Sequence, residues 1–203
     1  AYVVFGHRGN LGPAVTVDTL NGQNGFRIEG ALATDGAGAA VSTAGDVNGD
    51  GFDDLILGAP AANVDGAAQA GDAYVLFGRD FTKSVTGLGG KASDTLLGDD
   101  NASVLNGAQA SDTLVGRGGS DVLRGGEGDD VLAVSDLIFQ RVVGGRGLDT
   151  LRLDGANLAL DLTFPIGLRI QGIESIDLTG TGDNSLTLDA ASVLNIAPDS
   201  NTL

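Results

Sequence analysis

Between Gly89 and Leu132 the chain repeats with a period of nine: units open in unbroken phase at Gly89, Gly98, Gly107, Gly116 and Gly125, and a further unit opens at Gly144. The fullest copies are Gly125-Gly126-Glu127-Gly128-Asp129-Asp130-Val131-Leu132-Ala133 and Gly144-Gly145-Arg146-Gly147-Leu148-Asp149-Thr150-Leu151-Arg152. Both have the form G-G-x-G-x-D-x-U-x, where U is a large apolar residue. So short a unit cannot bury its apolar face alone and must stack on copies of itself. The glycines let the backbone take φ > 0 and turn tightly, and the residue at position eight points inward from a short strand.

One unit is therefore half a coil, and two units, or 18 residues, return the chain to the same side. The aspartates at position six then stack, with Asp94, Asp112 and Asp130 in one column. From Gly125 to Gly144 is 19 residues, so Asp149 extends the column past a one-residue bulge. Ser103, Asp121 and Phe139 occupy the opposite column. Ala92, Ala108, Ala110 and Arg117 stand where the pattern has glycine, which weakens the earlier units.

These units resemble the RTX (repeats-in-toxin) nonapeptide family, whose repeats wind into a parallel β-roll around calcium. The resemblance implies Ca2+ along Asp94, Asp112, Asp130 and Asp149, most securely between the last two, with Asp121 as the ligand of the opposite side.

Residues 1–80 carry a second repeat. Ala1-Tyr2-Val3-Val4-Phe5-Gly6 recurs 72 residues later as Ala73-Tyr74-Val75-Leu76-Phe77-Gly78, a spacing suited to one multi-strand blade. Between the copies, Asp46, Asn48, Asp50 and Asp54 hold positions 1, 3, 5 and 9 of a D-x-N-x-D-G-x-x-D loop. Alternate oxygens at these offsets wrap one hard cation; Gly51 makes the sharp turn, and the Phe52 carbonyl supplies the seventh-position ligand. An EF-hand also needs a glutamate at position twelve and flanking helices, but Leu57 stands there and Leu55-Ile56-Leu57 reads as a strand. With Phe77-Gly78 and Gly58-Ala59-Pro60, this stretch resembles the FG-GAP repeat of integrin α-subunits and bacterial surface proteins. That family forms β-propeller blades, some with a calcium-binding hairpin loop. A closed propeller needs typically four or more blades. Either the others lie upstream in a longer chain, or this segment packs on the solenoid or on a neighbouring molecule.

Residues 79–88 read as a linker and 134–143 as a more apolar ten-residue half-coil. From Thr150 the apolar residues alternate, at Leu151/Leu153, Leu158/Leu160/Leu162, Leu168/Ile170, Ile173/Ile176/Leu178 and Leu186/Leu188. This predicts that the solenoid continues as a wider β-helix, with one helical turn over residues 190–194 and another strand starting at Asn201. Residues 172–179 resemble the repetitive stalks of large RTX adhesins.

Composition narrows the chemistry. The 27 acidic against 11 basic residues give a net charge of −16, and all the acids but Glu29, Glu127 and Glu174 are aspartate, the carboxylate of cation-binding turns. Such a chain repels nucleic acid. It has no cysteine, hence no disulfide or thiolate site, and no apolar run long enough to span a membrane as a helix. The first residues lack a signal peptide's basic region, and the chain reads as a piece of something longer. His7, the only histidine, reads as a surface residue, with no G-x-S-x-G elbow to recruit it. The paired aspartates Asp53/Asp54, Asp99/Asp100 and Asp129/Asp130 read as solvated turn residues, since glycosidase chemistry needs a carboxyl of raised pKa in a cleft.

The expectation is an all-β protein: an FG-GAP β-propeller-blade-like segment (1–80) followed by a parallel β-roll (81–152) and a β-helix-like continuation (153–203). Its expected role is that of a non-catalytic, secreted, calcium-binding structural or adhesive segment of a bacterial cell-surface or matrix protein. Its expected partners are calcium ions, a cell-surface or matrix ligand and further copies joined through strand edges, with no nucleic acid and no membrane insertion. The alternatives are an export and folding module of an RTX enzyme or toxin whose catalytic domain lies outside this chain, and a filament subunit.

Overall fold

A computed structural model describes residues 1–6, 16–32, 34–65, 67–81, 83–163 and 165–197. His7 and the strand expected at Asn201 lie outside them. The chain divides into two compact units, Ala1–Asn48 with Phe52–Lys83, and Ser84–Leu203 with Gly49–Gly51.

In the first unit, β1 (Tyr2–Val4) pairs antiparallel with β2 (Gly25–Arg27), and β3 (Ala40–Gly45), β4 (Asp54–Ala59) and β5 (Asp72–Leu76) form a three-stranded antiparallel meander. Both copies of the A-Y-V-x-F-G stretch thus contribute a strand, and Leu55-Ile56-Leu57 lies within β4. Leu57 and Ala59 are its buried apolar residues, and Phe5, Phe26 and Phe81 pack ring against ring with centroids 4.7–5.8 Å apart. Among the described residues β2 pairs with β1 and not with β3, so the meander has three strands where a full blade has four.

The second unit is a right-through stack of parallel strands. One sheet contains β6 (Gly87–Leu88), β8 (Val104–Gln109), β10 (Val122–Glu127), β12 (Arg141–Arg146) and β15 (Ile170–Gln171). The other contains β7 (Thr95–Leu97), β9 (Thr113–Arg117), β11 (Val131–Val134), β13 (Thr150–Leu153) and β16 (Ser175–Asp177). Successive strands alternate between the sheets, so each nonapeptide is half a coil. The register places Leu105, Leu123, Val142 and Ile170 in one inward row and Leu96, Leu114, Leu132, Leu151 and Ile176 in the facing row. Position eight of the repeat therefore builds the core: Leu105, Leu114, Leu123, Leu132 and Leu151 are at most 1 % exposed.

The first strand, β6, already lies within the segment read as a linker. The stretch read as one ten-residue half-coil is split among the last residue of β11, the turn after it and the start of β12; the turn takes up the nineteenth residue, because β10 and β12, and β11 and β13, pair at an offset of 19. Beyond Leu153 the coils lengthen, and a third parallel pair, β14 (Ala159–Asp161) with β17 (Ser185–Thr187), adds a third face. This is the wider continuation. One expected strand position fails: Leu168 lies in a short 3-10 helix, Pro165–Arg169, and is exposed, since proline fixes φ near the helical value and removes the amide a strand would use. The helical turn expected at residues 190–194 extends over Ala190–Ile196 as α1, closed at its start by a reciprocal capping box between Asp189 and Ser192. Ile196 and Ala197 join the solenoid's core.

Candidate metal centre

Position six of each unit follows a glycine turn and precedes a strand, and this fixes where its side chain goes. The backbone N–H of Asp94 donates to Asp112 Oδ1 (2.7 Å), that of Asp112 to Asp130 Oδ1 (2.7 Å), and that of Asp130 to Asp149 Oδ1 (2.9 Å). The expected column is thus a series of hydrogen-bonded rungs, each carboxylate receiving the amide of the coil before it. The 19-residue step is closed by the same kind of rung as the 18-residue ones. Asp112, Asp130 and Asp149 are at most 1 % exposed.

Only one oxygen of each carboxylate is used in this way. The Oδ2 atoms of Asp112, Asp130 and Asp149 are buried and accept no hydrogen bond, whereas Asp94 Oδ2, at the exposed start of the stack, accepts from the Gly90 N–H (2.8 Å). Three unpartnered anionic oxygens in a dry column are costly unless a proton or a cation meets them. Burial accordingly pushes the carboxyls of Asp112 and Asp121 up, Asp130 to about 6 and Asp149 to about 7, against the relief given by their backbone hydrogen bonds. The neighbouring charges of Asp112 and Asp129 add to the rise at Asp130, and those of Asp130, Glu174 and Asp129 to the rise at Asp149.

The glycine opening each unit faces this oxygen. A Cβ on Gly107, Gly125 or Gly144 would overlap Oδ2 of Asp112, Asp130 or Asp149 in its own unit, and would also collide with the carbonyl of Gly125, Gly144 or Gly172 in the next coil. Carboxylate and carbonyl oxygens thus converge at each step. Among the described residues no three acidic or histidine side chains gather to hold a metal by themselves. A cation here is therefore held by carboxylates together with backbone carbonyls, the mixed oxygen set that calcium accepts.

The opposite edge is built differently. Asp121 Oδ1 accepts the Ser103 N–H (2.8 Å), but the next place is taken by Phe139, which is buried, so the column stops after one rung. In the first unit, Asp54 is fully buried and accepts the Val47 N–H (2.8 Å) and the Gly78 N–H (2.7 Å), closing the loop and tying it to the end of the β5 segment. Gly49 and Gly51 take φ of +69° and +81°, the turns the loop needs. Asp46, Asn48, Asp50 and Phe52 lie along this bend before β4, but Asp46, Asp50 and Asp54 do not converge as a three-carboxylate cluster.

Sequence reasoning missed Glu174. Its Oε2 accepts the Asp149 N–H (2.9 Å) and so adds one more rung, across a step of 25 residues where no nonapeptide phase exists to reveal it. Its signal was only its position two residues after Gly172. Asn184 was missed as well: its Oδ1 accepts the Leu158 N–H (2.8 Å) and its Nδ2 donates to the Leu153 carbonyl (3.2 Å), pinning the corner of the third face.

A two-sheet parallel roll with aspartates stacked in glycine turns defines a calcium-binding β-solenoid. In agreement, residues 88–121 and 106–135 match the family model of the RTX calcium-binding nonapeptide repeat (4 copies), and residues 37–76 match that of the FG-GAP repeat. The chain thus contains RTX-type calcium-binding nonapeptide repeats preceded by an FG-GAP repeat, and Ca2+ is the ion of those repeats. No curated protein and no solved structure matches it.

Proposed function

We propose that this chain is a calcium-stabilised, non-catalytic scaffold segment of a secreted bacterial surface or matrix protein, with a structural or adhesive role. The observation that carries this reading is the row of buried Oδ2 atoms on Asp112, Asp130 and Asp149, which accept no hydrogen bond. Bound calcium supplies the positive charge that stacked, dehydrated carboxylates require. Asp94, Asp112, Asp130 and Asp149 are the residues that hold it in the roll, Asp121 contributes on the opposite edge, and the Asp46–Asp54 loop, with Asn48, Asp50 and the Phe52 carbonyl, is a separate site. The chain's own part is to fix the coil register through the amide-to-Oδ1 rungs and to exclude water with the two leucine rows.

Where calcium is scarce the ionised column opposes folding, and where it is plentiful each site at tenfold its dissociation constant adds about 1.4 kcal/mol. This fits a chain that stays loose before export and sets outside the cell. The net charge of −16 speaks against nucleic acid as a partner. Among the described residues no helix is long and apolar enough to cross a membrane. Chelator titration followed by far-ultraviolet circular dichroism tests the reading: β-structure is lost as calcium is withdrawn and returns when it is restored. A spectrum unchanged in excess chelator overturns it.

A further inference from the structure

The carboxylate column does not stop where the nonapeptides do. Asp149 and Glu174 lie beyond residue 135, the end of the matched repeats. Between them the coil lengthens to a 25-residue step and no G-G-x-G-x-D unit remains. Even so, the oxygen arrangement of the earlier steps recurs. At Gly125 the space that a Cβ would fill is bounded by Asp130 Oδ2 and the Gly144 carbonyl; at Gly144 it is bounded by Asp149 Oδ2 and the Gly172 carbonyl. Asp149 Oδ2 is buried and unpartnered, as Asp130 Oδ2 is. Glu174 Oε2 takes the Asp149 N–H at 2.9 Å, the same length at which Asp149 Oδ1 takes the Asp130 N–H. Glutamate's extra methylene lets a carboxylate reach the column from a coil of different length.

We propose that Asp149, the last aspartate of the nonapeptides, forms a further divalent-cation site with Glu174 and the Gly172 carbonyl, which lie outside any nonapeptide, at the junction between the roll and its wider continuation. Resting on the calcium reading above, it extends the charge-neutralised column one coil past the repeats and joins the two parts of the solenoid. A carboxylate that served only to cap the Asp149 amide would leave Asp149 Oδ2 without a partner; a cation at this step meets both demands.

The experiment compares the whole chain with Glu174→Gln, whose amide oxygen still accepts the Asp149 N–H while its charge is gone. Calcium is added in steps, and bound ions are counted by native mass spectrometry, with affinities from calorimetry. The expected result is one calcium fewer per chain, or one site weakened at least tenfold, with the other sites unchanged. Glu174→Asp, too short to reach, loses the same ion. If Glu174→Gln binds as many ions as tightly as the parent, the junction site is overturned, whether or not the variant melts earlier. If the parent itself takes up no calcium, the failure belongs to the whole column. Far-ultraviolet circular dichroism of both chains in saturating calcium guards against misfolding, since equal β-signals show that the coil survives the change.

Discussion

At the scale of single residues, the turns show which departures from the repeat are tolerated. Ala108 and Ala110 stand at glycine positions and hold φ of +78° and +70°, close to a conformation that L residues occupy at a cost. The chain keeps the turn and bears the strain. Ala108→Gly is therefore expected to raise stability by about 1 kcal/mol, read from urea unfolding in fixed calcium. The carboxylates give a second expectation. Asp130 and Asp149 titrate in the folded state at about 6 and about 7, above the ordinary 3.8, so without calcium their contribution is fully favourable only below about 3.8 and is lost as pH rises through those values. In chelator the far-ultraviolet β-signal should thus be best retained at about pH 4 and be lost as pH rises to about 7. Calcium prefers the ionised form, so calcium affinity and the stabilisation it confers should rise across the same range; a chelated protein that gains stability with pH would contradict the burial. The aspartates were legible because position six recurs in phase. Glu174 was not, since a side chain's reach across a longer coil leaves no period to count.

Among the elements, the two inward rows divide the labour unequally with the exposed apolar residues. Leu123 is fully buried in register with Leu105 and Val142, whereas Leu168 is 73 % exposed on its 3-10 helix. Leu123→Ala should cost about 2–5 kcal/mol, and Leu168→Ala should stay within about 0.5 kcal/mol, both measured by denaturant midpoint. The leucine rows were readable from the repeat because period nine fixes both phase and side. The third face was readable only as alternation: Leu158/Leu160/Leu162 and Leu186/Leu188 announce strands, but nothing local says that β14 and β17 pair with each other across a 26-residue step instead of joining the two existing sheets. The three-stranded meander of the first unit was likewise hidden, because pairing of β2 with β1 depends on contacts distant in the chain.

For the molecule as a whole, a net charge of −16 raises the question whether calcium acts as a ligand or as general screening. Sodium chloride at about 1 M shortens the screening length to about 3 Å and relieves repulsion among exposed charges. It cannot enter the dry column beside Asp112, Asp130 and Asp149. High sodium chloride in chelator is therefore expected to leave the β-signal of the roll unrecovered, while calcium restores it; full recovery by sodium chloride would make the effect one of screening alone. The coil-to-coil rungs also have a mechanical meaning. Since each coil is bound only to its neighbours along the solenoid axis, tension applied between the chain ends peels the stack one turn at a time. Every released turn of 18 or 19 residues yields about 60 Å of slack, so the roll would behave under load as a graded shock absorber whose stiffness is set by the surrounding ions.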